Sequence, residues 1–297
     1  MSETEISYAP RRVAVGEITM SVIDEGHGPA VLLLHGFPDR ALMWRHQIQD
    51  LVAAGYRVIA PDLRGFGDSD RPTDLTSYSA PALLGDVLGL LDELDIDQVH
   101  VGAHDWGALL GWVLAGSAPD RVRSLAVFSV GHPRAFAGAG FEQKQLSWYI
   151  LWWQSLGVAE SQLPQQAWQW YRDWAYAGID RYADQDLDRQ LTDLERPGAL
   201  TAGLSWYRAN LTPAEFAESD WVALADLPAI TCPVLGVWGD REMALTERQM
   251  TDSARYVSGP WRYERITRVG HWIPAHAPER ASQLLLDHFG SAENTIG

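Results

Sequence analysis

Asp105 lies at the centre of the stretch VGAHDWGALLGW (residues 101–112), where an apolar strand-like run meets an apolar helix-like run. The small residues Ala103 and Gly107 lie two positions away on either side, which permits the sharp strand-to-helix turn that exposes a nucleophile. A carboxylate is ionised at neutral pH and can displace a leaving group at saturated carbon, which gives an alkyl ester. The alternative for an aspartate directly before a helix is an N-cap that only stabilises the helix.

A base and an acid that could serve this nucleophile follow later in the chain. His271, in RVGHWIP, comes after the last predicted strand, where it can activate water against an ester on Asp105. An acid that orients the imidazole is expected after the strand PVLGVWG, and spacing alone does not decide between Asp240 and Glu242. The order nucleophile, acid, histidine matches that of α/β-hydrolases. Other histidines have weaker claims, and a surface position is expected for His27, His46, His276 and His288.

The stretch HGFP (residues 35–38) follows the third predicted strand. The backbone N–H groups of Phe37 and Trp106 would then flank the nucleophile and could form an oxyanion hole for ester hydrolysis. The chain therefore carries the parts for alkyl transfer to a carboxylate, followed by hydrolysis of the resulting ester.

Short apolar runs alternate with helical periodicity before residue 134 and again after Pro228. This alternation predicts an α/β fold with a mostly parallel sheet flanked by helices, and ligands of such sheets bind at the carboxyl edge. The predicted strands are RRVAV, ITMSVID, AVLLLHG, RVIAPD, QVHVGAH, VRSLAVFSV, CPVLGVWGD and PWRYERIT. The predicted core helices cover residues 40–55, 79–96, 106–120, 245–257 and 278–290, followed by a frayed tail at 291–297.

A helical insertion interrupts this alternation. Residues 134–222 show no pattern of buried strands and contain aromatic-rich helical segments, with eight of the 14 Trp of the chain. Aromatic residues this dense in one segment can wall an apolar cavity. The expected organisation is therefore a sheet core formed by residues 1–133 and 223–297, which the resemblance described next makes an α/β-hydrolase core, with a helical lid at residues 134–222.

These stretches together resemble the epoxide hydrolase branch of the α/β-hydrolases over nearly the whole chain. HGFP and HDWG are shared with haloalkane dehalogenases, so they indicate the wider group alone. In the family the acid lies three residues after the glycine of a WGxxD pattern. Counting from Gly239 favours Glu242, with Asp240 as the reserve candidate, although aspartate is usual at this position.

The resemblance also implies two lid phenols that assist departure of the epoxide oxygen. YILWWQSLGVAE resembles a family stretch of the form Y-x-x-x-[aromatic]-Q-x-P-G-V-A-E, which gives Tyr149 as the first phenol, with Leu156 in place of the usual proline. LSWYRAN resembles the family's NWYR and gives Tyr207 as the second. The implied reaction is hydrolysis of a small apolar epoxide by water to a vicinal diol. Packing alone is expected of Tyr171, Tyr176 and Tyr182.

Two other functions remain open from the sequence. A haloalkane or haloacid dehalogenase could use the same Asp105 nucleophile, with Trp106 binding halide, and would not depend on the tyrosines. Fluoroacetate dehalogenases carry arginine after the nucleophile, so Trp106 counts against that branch. A non-catalytic hydrolase-like ligand-binding protein would tolerate Asp105→Asn without losing its role in the cell.

The composition limits the partners and cofactors. With 23 basic and 39 acidic residues the formal net charge is −16, which disfavours nucleic acid and anionic membranes as partners. Neither an apolar run of about 18 residues nor a secretory signal is visible, so a cytoplasmic location is expected. Without zinc-type His/Cys spacing or a dinucleotide fingerprint, no metal and no other cofactor are expected.

Overall fold

An eight-stranded sheet forms the centre of the molecule in a computed structural model, which describes residues 8–177, 185–217 and 227–296. The strands are β1 (Arg11–Val15), β2 (Ile18–Gly26), β3 (Ala30–Leu34), β4 (Arg57–Pro61), β5 (Val99–His104), β6 (Val122–Phe128), β7 (Val234–Gly239) and β8 (Trp261–Ile266). Their order is β1-β2-β4-β3-β5-β6-β7-β8. The β1–β2 and β2–β4 pairs are antiparallel, and all pairs from β4 to β8 are parallel.

Helices cover both faces of this sheet. Those of the core are α1 (Arg45–Ala53), α2 (Ala80–Glu93) and α3 (Trp106–Ser117). Between β6 and β7 lie α4 (Pro133–Ala137), α5 (Phe141–Leu146), α6 (Tyr149–Trp153), α7 (Val158–Gln162), α8 (Gln165–Ala175), α9 (Gln185–Leu194), α10 (Ala199–Asn210) and α11 (Pro213–Ala217). After β7 come α12 (Glu247–Thr251), α13 (Ile273–His276) and α14 (Pro278–Ile296).

The central strands are apolar on both sides because each face of the sheet is covered. In β3, Leu32 and Leu34 pack on the face that carries α2 and α3, whereas Val31 and Leu33 pack on the face that carries α1 and α14. This follows from the period of two in a strand, which sends successive side chains to opposite faces. Each of these buried leucines stabilises the fold by about 2 kcal/mol. The sheet therefore forms a rigid platform for the loops at its carboxyl edge.

The inserted helical region is joined to this platform by both apolar and polar contacts. Its Trp153 and Trp206 belong to the same apolar cluster as α2 and α3. The indole N–H of Trp206 donates to the carbonyl oxygen of Arg64 at 3.0 Å. Inside the inserted region, Arg208 binds the carboxylate of Glu160 through both terminal nitrogens, at 2.6 and 3.0 Å. Paired guanidinium and carboxylate groups of this kind fix helices relative to one another.

The predicted fold class is confirmed: the protein has an α/β-hydrolase fold with a mostly parallel sheet and an inserted helical region. Element boundaries differ in places, since the predicted helix at 245–257 is α12 followed by a 3₁₀ helix at Asp252–Tyr256. The proposed end of the lid at residue 222, and Tyr182, lie outside the described residues. In the described ranges no helix is both long and apolar enough to cross a membrane.

Two predictions near the carboxyl terminus were wrong. Residues expected to fray from position 291 continue α14, because Ala292 is buried and Glu293 pairs with His100 and Arg123. His288, expected at the surface, is buried and its Nε2 lies 3.1 Å from the carbonyl oxygen of Leu125. In both cases the side of α14 that faces the sheet supplies tertiary contacts that local sequence does not reveal.

Candidate active site

The turn between β5 and α3 holds Asp105 in an unusual backbone conformation, with φ 52° and ψ −123°. A non-glycine residue with positive φ stores strain and persists only where the surroundings enforce it. One constraint is the close approach of Gly107, where a β-carbon would come within 2.3 Å of the carbonyl oxygen of Leu34. The small residue predicted at this position is therefore a steric requirement of the turn.

The carboxylate of Asp105 contacts the loop after β3. Its Oδ1 accepts a hydrogen bond from the backbone N–H of Phe37 at 2.7 Å. A β-carbon on Gly36 would lie only 2.3 Å from the same oxygen, so the loop can approach this closely because that residue is glycine. Among the described residues, no capping hydrogen bond to α3 comes from the Asp105 side chain. The geometry thus differs from that of a simple N-cap.

His271 lies between two carboxylates. Its Nε2 is 3.4 Å from Oδ2 of Asp105, and its Nδ1 is 2.9 Å from Oε2 and 3.0 Å from Oε1 of Glu242. The Glu242 side chain is fully buried, and its Oε1 also accepts the backbone N–H of Ala244 at 3.0 Å. A carboxylate held in this way can fix both the tautomer and the orientation of the imidazole.

Asp240, the reserve candidate for the acid, points elsewhere. Its Oδ1 accepts the backbone N–H of Arg268 at 2.5 Å, and the guanidinium groups of Arg241 and Arg265 lie 3.9 Å from its carboxylate. Of these partners, Arg265 lies on β8 and Arg268 follows that strand. Of the two acids that the sequence offers, the structure brings Glu242 to His271.

The charges of this group determine its proton distribution. Burial would lower the pKa of His271, but the adjacent carboxylates of Glu242 and Asp105 outweigh it and raise that pKa to about 10. Burial raises the pKa of Asp105, yet the hydrogen bond and charge of His271 outweigh it, so the pKa of Asp105 is lowered. The backbone N–H of Trp106 adds to that lowering. In the resting state Asp105 is therefore an anion and His271 a cation.

Both predicted phenols line one pocket together with Asp105. The other lining residues of this pocket include Trp106, Leu109, Phe136, Ile150, Leu211 and Leu245. Asp105 is the charged residue in the described lining. The rings of Tyr149 and Tyr207 lie 6.2 Å apart between centroids. The pocket thus has an anion, two phenols and otherwise mostly apolar walls, as expected for a small apolar ligand.

Aromatic packing holds the two phenols in place. Trp153 is fully buried, with ring centroids 4.6 Å from Tyr149 and 4.7 Å from Tyr207. Tyr207 also packs edge-on against Trp106 at 5.0 Å. Burial, together with the negative charge of Asp105, raises the pKa of Tyr149 and of Tyr207 well above the ordinary range. Both phenols therefore keep their protons at neutral pH and can donate hydrogen bonds.

Sequence reasoning missed one buried acid beside the site. Asp39 follows the stretch HGFP, is buried, and accepts a hydrogen bond from Nε2 of Gln190 at 2.9 Å. Burial raises the pKa of Asp39 to about 6, and the charge of Asp105 contributes to the shift. The sequence signal that could have identified Asp39 is its position after the carboxyl end of a central strand. For the described residues, no cluster of three or more side chains could hold a metal ion.

Comparison with known proteins agrees with this fold. A family model described as alpha/beta hydrolase fold matches residues 29–278. The chain is 31% identical to Epoxide hydrolase A of Mycobacterium tuberculosis, covering 95% of this chain and 98% of that protein. It is 32% identical to AB hydrolase superfamily protein YfhM of Bacillus subtilis, over 91% of this chain and 94% of that one.

A solved structure of similar sequence has the same fold. Epoxide Hydrolase A from Mycobacterium thermoresistibile superposes with a TM-score of 0.80 at 29% identity, covering 95% of this chain and 98% of that one. The chain therefore belongs to the α/β-hydrolase fold family and, within it, to the epoxide hydrolases.

Proposed function

We propose that this protein hydrolyses an epoxide to a vicinal diol through an alkyl ester on Asp105. The observation that supports this proposal best is that Tyr149 and Tyr207 line the same pocket as the carboxylate. Displacement of an epoxide oxygen leaves an alkoxide, which is a poor leaving group unless a donor stabilises it as charge develops. Two protonated phenols opposite an anionic nucleophile meet that requirement. We further propose that the inserted helical region acts as the lid.

In the first step a carboxylate oxygen of Asp105 attacks one epoxide carbon. Because Oδ1 is held by the N–H of Phe37, the oxygen that attacks is Oδ2. The C–O bond of the epoxide breaks as the ester bond forms, and the phenols of Tyr149 and Tyr207 donate to the departing oxygen. One phenol transfers its proton to that oxygen and takes one in turn from His271 or, in a variant without His271, from water. The product is an alkyl-enzyme ester with a hydroxyl group on the neighbouring carbon.

In the second step water attacks the carbonyl carbon of this ester. Esterification removes the negative charge of Asp105, one of the two charges that raise the pKa of His271. Because its proton has passed to the phenol in the first step, the imidazole is neutral and can take a proton from water, while Glu242 holds Nδ1. Oδ1 becomes the oxyanion, already in contact with Phe37 N–H, and Trp106 N–H is the second donor. The intermediate then collapses: the bond between the carbonyl carbon and Oδ2 breaks, and the diol leaves with Oδ2 and the remaining proton of the water.

The walls of the pocket favour a neutral, mostly apolar substrate. Its lining side chains are mainly aliphatic and aromatic, and a bound carboxylate would face the charge of Asp105 without a cationic partner in the described lining. We expect small aryl or alkyl epoxides to be better substrates than epoxides that carry an ionised acid.

The test measures diol from racemic styrene oxide and, in parallel, bromide from a 1-bromoalkane. The wild-type protein should form diol, and Tyr149→Phe with Tyr207→Phe should lower that rate by at least about 100-fold, because each lost donor costs several kcal/mol in the transition state. Tyr171→Phe is the matched control. That phenol is also buried and has no hydrogen-bond partner among the described residues, and it lies outside the described pocket lining.

Two results would contradict the proposal. Bromide release without diol, insensitive to both tyrosine substitutions, would identify a dehalogenase that uses the same nucleophile. If neither diol nor bromide forms, and Asp105→Asn leaves the cellular role of the protein unchanged, the protein would instead be a non-catalytic ligand-binding protein.

A further inference from the structure

The backbone carbonyl of His271 accepts three hydrogen bonds. The donors are the hydroxyl of Ser129 at 2.7 Å, Nε2 of His104 at 3.0 Å and the backbone N–H of Ile273 at 2.9 Å. A carbonyl oxygen has two lone pairs, so three donors at normal lengths are more than it needs for satisfaction. Two of the three come from buried side chains at the ends of neighbouring strands, His104 at the end of β5 and Ser129 directly after β6. The peptide that carries the base is therefore held from the sheet.

His104 is suited to this role because it is a neutral, fixed donor. It is fully buried beside His271, with ring centroids 4.7 Å apart. Burial and the neighbouring His271 lower the pKa of His104 to about 3, so the ring is uncharged at neutral pH. A carbonyl oxygen can only accept, so the single ring proton lies on Nε2. Within the described residues, Nδ1 of His104 has no partner.

Ser129 is held in an equally specific way. It directly follows β6, is fully buried, and has φ 71°, a left-handed conformation that is uncommon outside glycine. The buried amide of Gln249 spans its segment, because Nε2 donates to the Ser129 carbonyl at 2.9 Å and Oε1 accepts the N–H of Gly131 at 2.5 Å. A backbone strained in this way persists only under such constraints.

We propose that His104 and Ser129 are positioning residues that hold His271 for hydrolysis of the alkyl-enzyme ester. This inference rests on the two-step function proposed above. Glu242 orients the ring through Nδ1 alone, which leaves the ring free to move with its own backbone. Fixing the carbonyl of His271 removes that freedom and keeps Nε2 within reach of a water molecule at the ester carbon. A displacement of about 1 Å at a reacting group can cost about 100-fold in rate.

The inference predicts that loss of a donor to the His271 carbonyl affects alkylation of Asp105 and hydrolysis of the ester differently. Alkylation of Asp105 uses the carboxylate and the phenols and needs no base, whereas hydrolysis depends on the placement of His271. Loss of a donor to the His271 carbonyl should therefore slow hydrolysis and leave alkylation nearly unchanged. A residue that only supports the fold would affect both steps, or neither.

The experiment follows alkyl-enzyme by rapid quench and intact-protein mass spectrometry during single turnover of styrene oxide. In Ser129→Ala and in His104→Phe we expect alkylation within about twofold of wild type and hydrolysis slowed about tenfold or more, so that alkyl-enzyme accumulates. His104→Gln keeps an N–H donor at a similar place and should restore most of the hydrolysis rate. Ser124→Ala is the matched control, a buried serine on β6 that contacts His100 at 2.8 Å instead.

The outcomes distinguish failure of the positioning role of His104 and Ser129 from failure of the proposed reaction. Alkyl-enzyme that forms in the variants and is hydrolysed at the wild-type rate would overturn the inference alone, as would equal slowing of both steps. Failure to detect alkyl-enzyme in wild type and in His271→Gln would overturn the proposed function and the inference with it. If His104→Phe does not fold, the comparison of Ser129→Ala with Ser124→Ala still decides.

Discussion

The sheet core and the inserted helical region fix their functional side chains by different means. In the core, Asp105 is held by a strained turn and by the N–H of Phe37, and His271 by its carbonyl and by Glu242. In the inserted region, Tyr149 and Tyr207 are held by ring packing around Trp153. Backbone contacts define positions tightly, whereas aromatic packing tolerates substitution and movement more easily.

The steps of the proposed reaction are divided between these two regions. The groups that make and hydrolyse the ester belong to the core, whose site is assembled by strand ends and would serve any alkyl substrate. The groups that assist departure of the leaving oxygen belong to the inserted region. Changes in the core should therefore affect all substrates, whereas changes in the inserted region should matter most for a poor leaving group.

Removal of the nucleophile should cause the largest loss of activity. Asp105→Ala should abolish diol formation from styrene oxide, with a loss of about 10⁴-fold or more, because the described lining of the pocket holds no second carboxylate that could form the ester. Any bromide release by the wild-type protein should disappear with it. Diol formation that survives in Asp105→Ala would mean that water attacks the epoxide directly, and the core would then have no covalent role.

Removal of the base should stop the reaction after alkylation of Asp105. In His271→Gln we expect Asp105 to be alkylated by styrene oxide while hydrolysis of the ester slows by about 10²- to 10⁴-fold. Intact-protein mass spectrometry should then show one substrate mass added per chain. A variant that stays unmodified although it is folded would show that His271 is needed for the first step, and the division between the two steps would fail.

The two acids of the GDRE loop give a sharper comparison inside the core. Glu242→Gln keeps the size of the side chain but removes the charge beside Nδ1 of His271, and we expect turnover to fall by about 100-fold. Asp240→Asn should stay within about twofold of wild type, because its carboxylate bonds to the backbone N–H of Arg268 instead. The reverse ranking in steady-state assays would transfer the orienting role to Asp240.

The smallest expected effect is a dependence of stability on pH. The pKa of His271 is raised from its ordinary value of 6.5 to about 10, so its contribution to stability is complete below pH 6.5 and is lost as the pH rises through about 10. The Tm measured between pH 6.5 and 10 should therefore fall by at least about 2 °C. His271→Gln should show a flatter curve, and parallel curves for the two proteins would contradict the charge assignment.

Much of the core could be predicted from the sequence because its signals are local. The apolar runs of the parallel strands, and the small residues around Asp105, each follow from constraints within a few residues. The pattern WGxxD indicated Glu242, and the contact with His271 agrees with that choice. The phenols could be suggested through family resemblance alone, since helical periodicity does not reveal which tyrosines face a pocket.

Other features depend on contacts between distant parts of the chain. The burial of His288 and the helical carboxyl terminus follow from packing of α14 against the sheet. The three donors to the carbonyl of His271 come from β5, from the end of β6 and from α13, and no local pattern predicts their convergence. The acid Asp39 was missed for the same reason, because its partner Gln190 lies 151 positions away.

In the proposed reaction, a cationic His271 in the resting state also means that turnover needs no proton from bulk water. The proton on His271 balances the one that the alkoxide takes up when the epoxide opens, and the attacking water returns a proton to the imidazole in the second step. Over one cycle the epoxide gains one water molecule, and the charge of the site is restored. We therefore expect the rate of the proposed reaction to be the same in dilute and in concentrated buffer.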